Sequence, residues 1–182
     1  MAYWGIAMSR LKYPVAMSPP LDDAGVAREA LHGAAAAHTA SPRERAYLAA
    51  LGHLFPDDGL ADWRGRTLAY EHAMGVLANQ YPEDAEATIF YALALNMAAP
   101  VSDKTYAKQT KATELLLVAL GDQPDHPGIA HYLSYCLNYA SSGTQYYPTT
   151  AERTPMIAGP RGLILASLAS LTLFCGLGMV IT

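Results

Sequence analysis

Apolar residues recur every three to four positions along most of the first 140 residues, and this spacing predicts a series of α-helices. Leu68, Ala73 and Leu77 show the pattern in a segment that begins near Trp63 and reaches about Gln80. No segment of useful length alternates apolar and polar residues, so no strand is predicted. The other predicted helices cover approximately residues 2–11, 24–34, 42–54, 85–97, 105–120 and 128–139.

The start of the helix near residue 42 has the clearest local signal. Ser41 is a good N-cap, Pro42 suits the first helical position, and Glu44 can complete a capping box with Ser41. Turns are predicted at 81–84 and 121–127, where proline and acidic residues interrupt the helical pattern.

Small and large residues occupy matching positions in successive predicted helix pairs. Small residues let the second helix of a pair approach its neighbour, and large residues fill the remaining space. Each pair then ends with a proline. These residues are Tyr91, Ala92 and Leu95 in a first helix, Ala112, Leu116 and Ala119 in a second helix, and Pro82 and Pro124 in the closing turns.

By these residues the sequence resembles the tetratricopeptide repeat (TPR) family, which implies an all-α array of helical hairpins over residues 1–140. Pro82 and Pro124 are 42 residues apart (124 − 82), against a repeat of about 34. An insertion around 99–104 accounts for the difference.

Three strings narrow the resemblance to a group of bacterial TPR proteins of undefined role, over residues 1–133. In that group at least one helix precedes the Trp-Gly string, which implies that this chain begins inside a repeat. The group also continues into more repeats, whereas this sequence departs after Leu133. The strings are MAYWGIA at residue 1, SPRERAY at residue 41 and HPGIAHYL at residue 126.

The C-terminal part of the chain has a different composition. Residues 141–160, rich in Ser, Thr, Tyr and Pro, are predicted to be a linker. Residues 162–182 contain no charged side chain, and about 20 apolar residues can span a bilayer, so residues 161–182 are predicted to form a single membrane span. Arg153 and Arg161 precede this segment, which favours a cytoplasmic repeat domain. The alternative is a buried terminal helix that caps the array.

Charge and cysteine content exclude several classes of protein. The net charge of −4 gives no basic excess for nucleic-acid binding. Two cysteines are too few for a disulfide-dense scaffold or a four-cysteine zinc site. The N-terminus lacks the basic and apolar regions of a signal peptide.

The candidate partner-binding residues lie in the central helices. Lys104, Lys108 and Lys111 are spaced to share one helix face. The TPR resemblance implies a groove that binds acidic or carboxylate-ended peptides, and these lysines with Tyr91 and Asn96 are the candidates for it. Most large aromatic residues are expected in the core, with one or two lining a groove: Tyr3, Trp4, Tyr47, Trp63, Tyr70, Tyr91 and Tyr132.

The sequence therefore predicts a membrane-tethered interaction scaffold that binds a protein or peptide partner without catalysis or a cofactor, alone or within a larger complex. One alternative is a structural accessory subunit of a membrane complex. The other is a metal-dependent enzyme that uses His126 and His131 with Asp122 and Asp125. The five-residue separation of the two histidines suits one helical face poorly, so we expect His126 to cap a turn and His131 to pack between helices.

Overall fold

The computed structural model describes residues 1–11, 19–37, 40–100 and 102–141, and all regular structure in these ranges is helical. The all-α prediction is therefore confirmed for this part of the chain. The apolar segment 161–182, and the predicted linker beyond Ser141, lie outside the described residues. The helices are α1 (Ala2–Met8), α2 (Leu21–Ala37), α3 (Pro42–Gly52), α4 (Trp63–Gln80), α5 (Ala85–Met97), α6 (Ala107–Asp122) and α7 (Pro127–Ser141).

Local sequence signals set several helix ends. The Ser41 hydroxyl accepts a hydrogen bond from the Glu44 backbone N–H at 3.2 Å, and the Glu44 carboxylate accepts one from the Ser41 N–H at 3.0 Å. Pro42 occupies the first turn, so the predicted start of α3 is confirmed. At α4, the Asp62 carboxylate caps the helix by accepting a hydrogen bond from the Gly65 N–H at 2.9 Å.

Each helix packs against the next helix in the chain, and α1 also contacts α3 while α5 also contacts α7. Only four residues connect α4 to α5 and α6 to α7. Connections this short between helices in contact require the two helices to run in opposite directions. The chain therefore folds back on itself in helical hairpins between residues 63 and 141.

Two apolar clusters form the core, and α5 contributes to both. Leu93, Ala94 and Met97 of α5 join a cluster with residues of α1 to α4. Ile89 and Leu95 join a second cluster with residues of α6 and α7. Because α5 lies between α4, α6 and α7, residues 92–98 are all buried.

A buried arginine organises the connection between α3 and α4. The Arg66 guanidinium donates hydrogen bonds to the carbonyls of Leu54, Leu60 and Ala61 at 2.6, 2.6 and 3.0 Å. It also lies over the Trp63 ring, with its Cζ atom 5.0 Å from the ring centroid. These contacts provide hydrogen-bond partners both for the buried guanidinium and for backbone carbonyls of the connection.

The described residues contain no helix of the length and apolarity needed to cross a bilayer.

Candidate interaction surface

Hydrogen bonds and ion pairs link the N-terminal ends of α1, α3, α5 and α7, which we call the odd helices. The Met1 amine pairs with Glu44 in the first turn of α3. Arg43 Nε donates to Asp84 Oδ2 at 2.5 Å, and Asp84 is the N-cap residue of α5. Glu86 in α5 pairs with His126, which directly precedes α7, at 2.8 Å. The odd helices therefore begin at the same end of the molecule and run in the same direction.

Asp84 is held by two side chains of α3. Its carboxylate accepts hydrogen bonds from Arg43 and, at 2.8 Å, from the Tyr47 hydroxyl. Burial alone raises the pKa of Asp84, but the hydrogen bonds and the positive charge of Arg43 outweigh burial, so the pKa lies below its ordinary value. Asp84 therefore remains ionised and ties the start of α3 to the start of α5.

Aromatic side chains of the odd helices form a continuous row of ring contacts, which we call the aromatic row. Trp4 of α1 contacts Tyr47 of α3 and Phe90 of α5, with ring centroids 5.7 and 4.8 Å apart. Phe90 contacts Tyr132 of α7 at 6.2 Å, and Tyr132 contacts His131 at 5.7 Å. The row therefore passes from α3 across α1 and α5 to α7.

The two ends of the aromatic row differ in exposure. Trp4 and Tyr47 are buried, Phe90 and Tyr132 are half-buried, and His131 is exposed. The row thus has a fixed apolar base near α3 and a rigid, accessible aromatic edge on α5 and α7. Surfaces of this kind, with large rings already held in place, suit protein recognition because little side-chain entropy is lost on binding.

Three of the predicted partner-binding residues lie on the adjoining side of α5, where Tyr91 follows Phe90. Lys111 Nζ donates to the Tyr91 hydroxyl at 2.8 Å and lies 5.1 Å from the centroid of the Tyr91 ring. Lys108 pairs with Glu71 of α4. The hydrogen bond to Tyr91 raises the pKa of Lys111. These side chains therefore bridge α4, α5 and α6, and we call Glu71, Tyr91, Lys108 and Lys111 the lysine patch.

The other two predicted binding residues lie elsewhere. Asn96 is only 2% exposed, because the end of α5 is enclosed by its neighbours. Among the residues that the structure describes, none forms a hydrogen bond with either polar atom of its amide. The expectation that Asn96 lines an open groove is therefore wrong. Lys104 lies before α6, which begins at Ala107, so the expected helix face shared by three lysines is also wrong. The left-handed backbone of Tyr106, with φ of 52°, marks where the loop turns into α6.

The histidines of the metal-enzyme alternative have other roles. One ring nitrogen of His126 pairs with Glu86, and Nδ1 accepts a hydrogen bond from the Ile129 N–H at 3.3 Å. His126 therefore caps α7, as expected. His131 is exposed and its ring contacts the Tyr132 ring. It therefore does not pack between helices, contrary to what we had expected. Within the described ranges, no group of three or more His, Cys, Asp or Glu residues is arranged to hold a metal ion.

Comparison of the chain with protein-family models, with curated proteins and with solved structures finds no match. The interpretation of the aromatic row and the lysine patch therefore depends on their own residues and geometry.

Proposed function

We propose that the chain is a TPR-like array of helical hairpins that binds a protein or peptide partner on the face formed by the odd helices. The repeat positions in the sequence, the four-residue turns and the contacts of α1 with α3 and α5 with α7 support this arrangement. The chain recognises the partner by the complementary shape of the two surfaces and by non-covalent contacts.

The aromatic row is the observation that carries this proposal. It joins side chains of all four odd helices, and its accessible edge is formed by Phe90, Tyr132 and His131. Aromatic residues that are fixed by their neighbours and open to solvent on one side are the usual anchors of protein interfaces. Glu86 and His126 lie at the start of the same helices and provide polar groups beside that edge.

The lysine patch fits this function less well. Its Lys108 is already paired with Glu71, and its Lys111 already bonds to Tyr91. A partner carboxylate would have to break these contacts, so part of the binding free energy would be lost. The lysine patch is better explained as a bridge that holds α4, α5 and α6 together.

A negative charge introduced at one exposed residue of each surface tests the choice between them. We expect His131→Glu to weaken the recovery of bound partners by about tenfold or more in crosslinking pull-downs with the full chain. Lys111→Glu, in the lysine patch, is the matched control and should leave the same partners bound. Far-UV circular dichroism establishes that both variants keep the helical fold.

The reverse result, with partners lost only in Lys111→Glu, would assign binding to the lysine patch. Partners that remain bound after both changes would show that neither surface is used.

The proposal includes a membrane tether formed by residues 161–182, for which the sequence is the only support.

A further inference from the structure

The aromatic row runs across the odd helices and not along any one of them. Tyr47, Phe90 and Tyr132 are each the sixth residue of their helix, in α3, α5 and α7. Because these helices run in the same direction from the same end of the molecule, the three rings lie at a similar level. A linear partner that follows the row therefore crosses the helices.

The three accessible rings of the row are inclined to one another. The planes of the Phe90 and Tyr132 rings make an angle of 56°, and those of His131 and Tyr132 make an angle of 52°. Rings inclined in this way do not stack, so neither ring covers the whole face of its neighbour. Since these side chains are half-buried or exposed, the edge can accept flat, apolar groups on the ring faces.

Charged groups at the start of the same helices are already paired. Arg43 pairs with Asp84, and Glu86 pairs with His126. A charged partner would have to compete with these contacts, and the cost would cancel much of what its own charge contributes. The face therefore favours a partner that is uncharged where it meets the rings.

Arg43 keeps hydrogen-bond donors for such a partner. Its hydrogen bond to Asp84 uses Nε, at 2.5 Å, which leaves Nη1 and Nη2 on a side chain that is 38% exposed. The guanidinium is also fixed over the Tyr47 ring, with Cζ 5.0 Å from the ring centroid. Because Asp84 balances its charge, Arg43 suits a neutral acceptor such as a backbone carbonyl.

We propose that the partner contacts the aromatic row through a proline-rich segment in the polyproline II conformation, an assignment that rests on the proposed function. Such a segment has no internal hydrogen bonds, so its carbonyls are free to accept from Arg43. Its pyrrolidine rings are uncharged, and surfaces lined by aromatic rings are the usual sites of polyproline recognition. One turn is about 9 Å long, which matches an edge whose successive ring centroids are 6.2 and 5.7 Å apart.

Fluorescence anisotropy of a fluorescein-labelled decaproline tests this assignment on the purified full chain. We expect saturable binding that changes by less than about twofold between about 50 and 500 mM NaCl, because the contacts involve no net charge. Unlabelled decaproline should compete. A Gly-Ser peptide of the same length, which lacks the proline rings and the preformed conformation, should not compete. The absence of saturable binding, or binding that salt abolishes, would refute a proline-rich partner.

Three variants locate the bound peptide. Phe90→Leu keeps an apolar side chain but removes the ring, and should weaken decaproline binding by about tenfold. Arg43→Lys keeps the positive charge beside Asp84 but lacks the Nη groups, and should weaken binding by about threefold. Tyr91→Leu, at the next position of α5 and in the lysine patch, should bind as the unaltered chain does. Circular dichroism and thermal denaturation establish that each variant is folded. Equal binding by Phe90→Leu and Tyr91→Leu would mean that the peptide does not use the aromatic row.

The titration and the pull-downs together separate this inference from the proposed function. If His131→Glu loses its partners but decaproline does not bind, the surface is correct and the proline-rich partner is wrong. If His131→Glu keeps its partners and every variant binds decaproline equally, both are wrong. Loss of partners and of decaproline in the same variants would support both.

Discussion

At the scale of single residues, Arg66 holds the connection between α3 and α4 in place by several hydrogen bonds. It is 8% exposed and its guanidinium bonds to three carbonyls of the α3–α4 connection. Lysine keeps the charge but presents one nitrogen, which cannot reach three separate acceptors. We expect Arg66→Lys to lower the free energy of unfolding by about 2 kcal/mol, measured by urea denaturation at pH 7.

Arg64 provides the matched control for Arg66. It lies in the same first turns of α4, and it is exposed. Arg64→Lys should change the free energy of unfolding by less than about 0.5 kcal/mol. Similar losses in both variants would mean that the hydrogen bonds of Arg66 to the connection do not stabilise the fold.

The carboxylate of Asp84 makes stability depend on pH. Its folded pKa is lower than the unfolded value of about 3.9, so its contribution is fully present above that value and is lost as pH falls through the folded pKa. We expect Asp84→Asn to lower the free energy of unfolding by about 1–2 kcal/mol at pH 6–7. The difference between the two chains should shrink as the pH falls below about 4.

Urea midpoints measured from pH 2.5 to 7 test this expectation. Glu44, whose pKa its bonds to the N-terminal amine and Ser41 lower to about 2, loses its own contribution at acidic pH. That loss is common to both chains and cancels in their difference. Asp58→Asn, in the exposed turn after α3, is the control and should follow the unaltered chain. A constant difference between Asp84→Asn and the unaltered chain at every pH would contradict the role of the ionised carboxylate.

At the scale of the elements, the contact between α4 and α5 depends on a glycine. A Cβ atom at Gly75 would lie 3.1 Å from Cε2 of Tyr91, which Lys111 holds in place. At Gly25 in α2, a Cβ atom would meet nothing within 4 Å. Alanine in a helix gains about 0.5–1 kcal/mol over glycine when space permits. We therefore expect Gly25→Ala to raise the free energy of unfolding by this amount. The change for Gly75→Ala should be about 1 kcal/mol less favourable, because the new methyl group would press on the Tyr91 ring.

A double variant shows whether Tyr91 causes the difference. In a Tyr91→Ala background the ring is absent, so Gly75→Ala should recover the gain seen at Gly25. Thermal and urea denaturation of the four chains gives the coupling between the two positions. If the effect of Gly75→Ala is the same with and without the Tyr91 ring, the close approach of α4 to α5 does not depend on this glycine.

Most helix boundaries could be predicted from the sequence because their signals are local. The limits predicted for α5 agree with the structure, and α4 and the capping box of α3 were also found. The start of α6 was placed too early. Its start depends on the left-handed conformation of Tyr106, and helical spacing alone carries no information about that residue.

The candidate site was harder to predict, since exposure depends on packing between helices that are distant in sequence. Lys111 contacts Tyr91, a pair that the sequence analysis had placed in one candidate site, but the sequence could not show that Glu71 pairs with Lys108. Asn96 was expected in a groove, yet α5 is surrounded on most sides. The sequence analysis did not single out Phe90, whose ring contacts Trp4 of α1 and Tyr132 of α7.

At the scale of the whole molecule, the odd helices form a common platform. Hydrogen bonds and ion pairs align their N-terminal ends, and the aromatic row connects their faces. The even helices α2, α4 and α6 lie between them in the chain, and the lysine patch joins α4 and α6 to α5.

The apolar segment at the C-terminus predicts that the chain is attached to a membrane. If residues 161–182 span a bilayer, the full chain should remain with membranes after alkaline carbonate extraction. Leu171→Arg places a charge near the middle of the segment at a cost of about 2.5–3.5 kcal/mol, and should release the chain. Leu68→Arg, on the exposed surface of α4, is the matched control and should remain with the membranes. Recovery of the unaltered chain in the soluble fraction would instead favour a terminal helix that caps the array, because such a helix satisfies its apolar side chains against protein.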